Sequence, residues 1–267
     1  MMNTDYRMIK YPRTPHIEGS RLQPGDEDLS QVPFSAIAGR HLVIEEKIDG
    51  ANSALSFDPA GQLLLQSRGH YLTGGYRERH YNLFKQWATV HQQTFWKVLG
   101  CRYVMYGEWM YAKHSIFYDA LPHYFMEFDI LDRETDRFLD TPSRREITKQ
   151  LPVCSAAVLA EGTYRRMEEI LPLLSTSHYI TKDHLENLRE AALRENLDPD
   201  RISRETDRSD TMEGLYIKVE EEGQVVQRVK FVRPSFLQTV EESGTHWLDR
   251  PIVKNGLSRN IDELFIP

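Results

Sequence analysis

The stretch Glu45-Glu46-Lys47-Ile48-Asp49-Gly50-Ala51-Asn52 closes an apolar run that begins at His41. Side chains alternate between the two faces of a strand. Val43, Glu45 and Lys47 therefore share one face, and Leu42, Ile44 and Glu46 share the other. A lysine amine attacks an electrophile only after losing its proton. Burial and a neighbouring cation lower its pKa, and a fixed position removes the cost of bringing the reactants together. Gly50 allows a tight turn and close approach of backbone to a ligand. Alone, Lys-x-Asp-Gly equally fits a strand-ending turn with a surface lysine, so the rest of the chain must decide.

Working outward, Gln62 to Ser67 reads as a second strand after the turn at Asp58-Pro59-Ala60-Gly61. Asn82 to Leu99 has the spacing of one amphipathic helix, with Leu83, Trp87, Val90 and Phe95 as buried positions. Tyr103 to Met110 and His123 to Leu131 are rich in aromatic and β-branched residues and read as strands. Ser143 and Glu146 suit a capping box, and the chain from there to about Arg208 reads as helical, most clearly from Thr181 to Asn196. A hairpin follows, with strands Leu215 to Glu220 and Val225 to Val232. Residues 1–40 read as loop, punctuated by Pro24-Gly25-Asp26-Glu27-Asp28.

Strings of similar character recur on these strands. After the Lys47 tetrad come Tyr106-Gly107-Glu108-Trp109, Phe125-Met126-Glu127-Phe128-Asp129-Ile130, Glu213-Gly214-Leu215-Tyr216-Ile217-Lys218 and Arg228-Val229-Lys230-Phe231-Val232. In this order they resemble the motifs of the covalent nucleotidyltransferase superfamily, which holds ATP-dependent DNA and RNA ligases and mRNA capping enzymes. Glu46, Asn52 and Arg68 bring the pattern nearest to the phage T4 type-2 RNA ligases. The resemblance implies an α+β, ATP-grasp-like ligase adenylation domain with antiparallel sheets around an ATP pocket. One domain over residues 1–267 is expected, with a helical insertion at about 141–208. Only thirty-seven residues follow Lys230, too few for a C-terminal OB-fold.

The resemblance also implies roles. Lys47 would attack the α-phosphate of ATP and carry AMP. Lys230 would reach that phosphate, with Arg228 beside it, or with Arg233 as partner if the register shifts. Glu213 would serve Mg²⁺ or Mn²⁺, Glu108 the ribose, and Phe128 the adenine. Glu46 and Asn52 would bond nucleotide or substrate, Arg68 the nucleotide or a 5′-phosphate, and Asp49 and Asp129 would support the site. The substrate would be RNA with 3′-OH and 5′-phosphate ends, with an end-healing or substrate-binding protein as a further partner. Competing expectations are a DNA ligase, a GTP-using capping enzyme, or a non-catalytic nucleotide-binding module.

Composition narrows the field. A net charge of -7 argues against indiscriminate coating of nucleic acid, yet Arg68, His70, Arg77, Arg79, His80 and Lys85 are interleaved with Tyr71, Tyr76, Tyr81 and Phe84. That stretch suits either a nucleic-acid surface or a solvated loop and helix start. Cys101 and Cys154 lack metal or redox spacing, no segment suits a membrane span, and a cytoplasmic enzyme is expected. The ten histidines show no zinc-ligand spacing and no Walker-type loop occurs; His16 and Arg21 are the weakest candidates for a role.

Overall fold

The computed structural model describes residues 7–22, 31–236 and 251–266. Strand β1 (His41–Lys47) turns at Gly50 into β2 (Ala51–Phe57), which pairs with β3 (Leu63–Ser67). Two helices, α1 (Asn82–Val90) and α2 (Gln92–Leu99), lead to β4 (Tyr103–Trp109), β5 (Phe125–Asp132) and the short β6 (Arg137–Phe138). Then come α3 (Thr141–Thr148), β7 (Cys154–Ser155), β8 (Val158–Thr163), α4 (His184–Arg194) and α5 (Pro199–Arg204). The hairpin β9 (Gly214–Glu221) and β10 (Gln224–Val232) completes the regular elements. Glu222 and Gly223 turn it with φ of 49° and 78°, the positive pair that a two-residue hairpin turn requires.

The strands form a mixed α/β architecture of two mainly antiparallel sheets. One has the order β10-β9-β1-β8 and the other β3-β2-β4-β5-β6, with β7 against β5. In the first sheet Leu42, Ile44, Leu215, Ile217, Val229 and Phe231 turn one face to a core with Ile17, Phe34 and Met167. The opposite face carries Glu45, Lys47, Tyr216, Lys218, Arg228 and Lys230, as the register requires. In the second sheet Leu55, Phe57, Met105, Trp109 and Phe125 pack against Phe84, Trp87 and Phe95 of the helices. Its other face carries Asn52, Ala54, Tyr106 and Glu108. The two polar faces meet, because Arg228 Nε lies 3.1 Å from Asp129 and Lys218 Nζ 3.4 Å from the same carboxylate.

Several expectations need correction. The single helix over 82–99 is two, parted at His91, whose buried ring bonds the Leu264 carbonyl at 2.7 Å. Val90 is exposed and Leu83 half-buried, while Phe84 fills the core. The cap of α3 is Asp140, not Ser143: its carboxylate accepts from Ser143 N at 3.0 Å, so Ser143 is already helical. The stretch 141–208 is not helical throughout, since β7 and β8 lie within it and β8 pairs with β1. Residues 15–17 are not free loop either; Ile17 N bonds Lys230 O at 2.9 Å and Lys230 N bonds Pro15 O at 3.0 Å. The breaker at Pro24–Asp28 lies outside the described residues. No described helix is long and apolar enough to cross a membrane.

Candidate active site

Lys47 ends β1 opposite Gly214 of β9, so the residue before Gly214 arrives beside it. Lys47 Nζ donates to Glu213 Oε1 at 2.6 Å. Gly214 is obligatory there, since a Cβ would lie 1.9 Å from the Phe231 carbonyl oxygen of β10. From the facing sheet come Glu108 and, directly across the ladder, Asn52, which hydrogen-bonds it. Gly50 admits the close approach of these parts, because a Cβ there would meet Met110 Sδ at 2.4 Å and Glu108 Cβ at 3.0 Å.

The electrostatics differ from the expectation of a lysine lowered by a cationic neighbour. Burial pushes Lys47 down, but the charge and hydrogen bond of Glu213, with Glu108 and Asp49, outweigh it and hold the amine above its ordinary value. Glu108 moves the other way for a carboxylate: burial, opposed by Lys47 and reinforced by the charges of Glu213 and Asp49, pushes it up to about 8. Its Oε2 is buried without a hydrogen-bond partner. Asp49 behaves oppositely. Burial alone would raise it, but His114 and the amides of Ser115 (2.7 Å) and Ile116 (3.0 Å) hold it below the usual range. It anchors the loop after β4.

Lys230 faces the same cleft and adds its charge to the field at Glu213. Arg228, two residues earlier on that face, is instead drawn to Asp129, and its guanidinium lies 3.9 Å from the centroid of Phe138. Arg233 leaves the cleft and bonds Asp207, Ser209 and the Met212 carbonyl, tying down the segment that precedes Glu213. Glu46 points away from Lys47, as strand alternation demands, and accepts from Ser177 Oγ at 2.5 Å and His178 N at 3.0 Å. Arg68 is exposed just beyond β3. His16 is buried against Ser20 at 2.7 Å, and Arg21 is exposed.

Phe128 is 8% exposed and meets Tyr11 edge-on at 5.0 Å. The β4–β5 register slips between Tyr106 and Gly107, leaving Phe128 outside the ladder. Its carbonyl accepts from both Arg144 and Lys218. These two cations join Arg228, Glu45, Glu127 and Asp129 in a buried network between the sheets, with Arg144 2.5 Å from Glu45. Sequence reasoning left Arg144 without a role and Lys218 only as the end of a motif. It also missed Tyr11, which bonds Asp129 and Tyr216. Among the described residues no group of three or more His, Cys, Asp or Glu could by itself hold a metal ion.

No curated protein matches the sequence. Solved structures match in fold. A variant of Naegleria gruberi RNA ligase with ATP and Mn is 13% identical at a TM-score of 0.52, covering 88% of this chain and 59% of that one. A second variant with ATP and Mn is 14% identical at 0.54, with the same coverage of 88% and 59%. A third, with AMP and Mn, is 14% identical at 0.52, again over 88% and 59%. The chain thus spans about 59% of the length of these relatives. The RNA ligase family model matches residues 40–232, a span that holds Lys47, Glu108, Glu213 and Lys230, and the chain belongs to the RNA ligase family.

Proposed function

We propose that this chain is an ATP-dependent RNA ligase built on a nucleotidyltransferase fold, with Lys47 as the nucleophile. The observation that carries the reading is Lys47 at the end of β1, 2.6 Å from Glu213, in a cleft that also holds Glu108 and Lys230. After losing its proton, Lys47 Nζ attacks the α-phosphorus of ATP. A P–N bond forms, the bond to the bridging oxygen of the β-phosphate breaks, and pyrophosphate leaves. The 5′-phosphate of an RNA end then attacks the lysyl-AMP phosphorus and releases the lysine. Last, a 3′-hydroxyl attacks that 5′-phosphorus, expels AMP and leaves a phosphodiester.

Phosphoryl transfer calls mainly for positioning and charge neutralisation. Lys230 supplies positive charge at the α-phosphate. Glu108, steadied by Asn52, has one oxygen left to accept from a ribose hydroxyl. Phe128, buried against Tyr11 and tilted 45° to Tyr216, supplies the flat apolar ring that we assign to the adenine. Arg68 is exposed where it can meet a 5′-phosphate. The donor set of hard carboxylate oxygens, Glu213 foremost, suits Mg²⁺ or Mn²⁺ held jointly with phosphate oxygens. Such an ion, when bound, offsets phosphate charge and competes with Lys47 for Glu213.

The test is intact mass spectrometry after incubation with Mg²⁺ and either ATP or GTP. One added AMP on the wild type and none on Lys47→Ala is the expected result. Better labelling by GTP would replace this reading with a capping-type guanylyltransferase. No adduct with either nucleotide at neutral or alkaline pH would overturn it.

A further inference from the structure

Tyr76 is 80% exposed, the most exposed of the large hydrophobic side chains described. The Arg79 guanidinium lies 4.7 Å from its ring centroid. The stack sits on a short 3-10 turn, Tyr76–Tyr81, which is built firmly from below. Gly74 and Gly75 enter it at φ of 115° and 118°, a backbone shape that side chains disfavour. Glu78 is buried beneath, accepting from Thr73 N at 3.2 Å and Gly74 N at 2.9 Å and pairing with Lys85. Behind it Tyr81 is buried and hydrogen-bonds Ser53 of β2, while the His80 carbonyl receives Trp109 Nε1 at 2.8 Å.

The turn is mounted on the helix-covered face of the second sheet, and its last residue, Tyr81, lies close enough to Glu108 for the two to interact electrostatically, which puts the stack near the edge of the cleft. The surroundings are basic in a chain of net charge -7: Arg68 and His70 are exposed nearby, and the one acid of the turn, Glu78, is neutralised by Lys85. An exposed aromatic ring with a guanidinium stacked on it, on a basic strip, matches what an unpaired nucleobase stacks on. Inside a duplex each base is stacked on both faces, so only the terminal pairs could meet such a ring.

Resting on the ligase reading above, we infer that the Tyr76–Arg79 stack is a platform for an unpaired base of single-stranded RNA beside the ligation cleft. The experiment uses the full chain. Fluorescence anisotropy is measured with a labelled single-stranded RNA 12-mer and with a blunt RNA duplex of equal length. Tyr76→Ala should weaken single-strand binding about ten-fold, the loss of one base–aromatic stack, with little change on the duplex. Tyr76→Trp should restore it. The inference is overturned if the wild type does not bind the single strand, if Tyr76→Ala binds it normally, if Tyr76→Trp fails to restore binding, or if the duplex loses equally. The AMP adduct of the wild type is measured alongside: its absence sinks the ligase reading, whereas binding data alone decide the platform.

Discussion

Lys47 and Glu213 stand 166 positions apart in sequence and are joined by a 2.6 Å hydrogen bond at the paired ends of β1 and β9. The bond fixes the lysine as an ammonium. Since Lys47 is held above its ordinary 10.5, the neutral amine is scarce at neutral pH and grows as pH rises. Adduct formation with saturating ATP should therefore accelerate from neutral to alkaline pH. Glu213→Gln removes the charge that holds the proton, so whatever adduct it forms should show that rise at lower pH. Single-turnover labelling against pH measures both. A wild-type rate independent of pH would mean that proton loss from Lys47 does not limit the step.

Glu108 allows a stability test that needs no nucleotide. Its folded value of about 8 lies above the ordinary 4.5, so the folded state prefers the protonated carboxyl. That contribution is whole below 4.5 and fades as pH rises through about 8. Glu108→Gln should therefore gain in Tm relative to wild type across that interval. Thermal unfolding of the ligand-free pair at several pH values reads the difference. Parallel curves would show that Glu108 ionises normally.

Gly214→Ala tests the hairpin that delivers Glu213. A Cβ 1.9 Å from the Phe231 carbonyl oxygen forces β9 and β10 apart where Lys47 is opposite. Strain of about 1–3 kcal/mol or more should lower the denaturant midpoint. Adduct formation should fall further than stability alone explains, because Glu213 moves with the strand. Unchanged labelling would separate the backbone position from the chemistry.

How much of this was legible in the sequence follows from the range of the interactions. Alternation gave β1, and the turn at Glu222-Gly223 gave the hairpin, because both are local. The approach of Lys47, Glu108, Glu213 and Lys230 was legible only through the order of the motifs. β8 was not, since Val158-Leu159-Ala160-Glu161-Gly162-Thr163 is short and weakly patterned, and its partner β1 lies over a hundred positions away. The break at His91 depends on a contact with Leu264, and the burial of Arg144 on carboxylates from two strands. Strand alternation did place Glu46 opposite Lys47 in facing, yet the motif pattern grouped the two; the structure sends Glu46 to Ser177 and His178.

Arg228 and Lys230 should part company on mutation, although they share a strand face. Arg228 is paired with Asp129 inside the buried network, so Arg228→Ala leaves a carboxylate without one of its partners and should cost about 3–5 kcal/mol. Lys230→Ala should abolish adduct formation with a smaller loss of stability. Chemical denaturation and labelling on both variants decide this. A stable but inactive Arg228→Ala would return Arg228 to the phosphate site.

The strand to be sealed remains a matter of its sugar. RNA differs from DNA by the 2′-hydroxyl, and sealing requires the 3′-hydroxyl to lie in line with the activated 5′-phosphate. A-form geometry at the 3′-OH side presents that hydroxyl differently from B-form DNA, so the family assignment predicts a preference set by the nucleotides just before the junction. Nicked duplexes that differ only in the sugars of the two nucleotides on the 3′-OH side should be sealed best when these are ribose. Affinity should fall with salt, through contacts such as exposed Arg68 and half-buried Arg79 on the basic strip. The Arg77 side chain lies outside the described residues, but Arg77→Ala with Arg79→Ala should slow sealing while the Lys47 adduct still forms. Equal sealing of all-DNA junctions would remove RNA as the substrate. Faster joining of single strands than of nicks would instead favour an enzyme that rejoins broken loops, a result in keeping with an unpaired base resting on Tyr76.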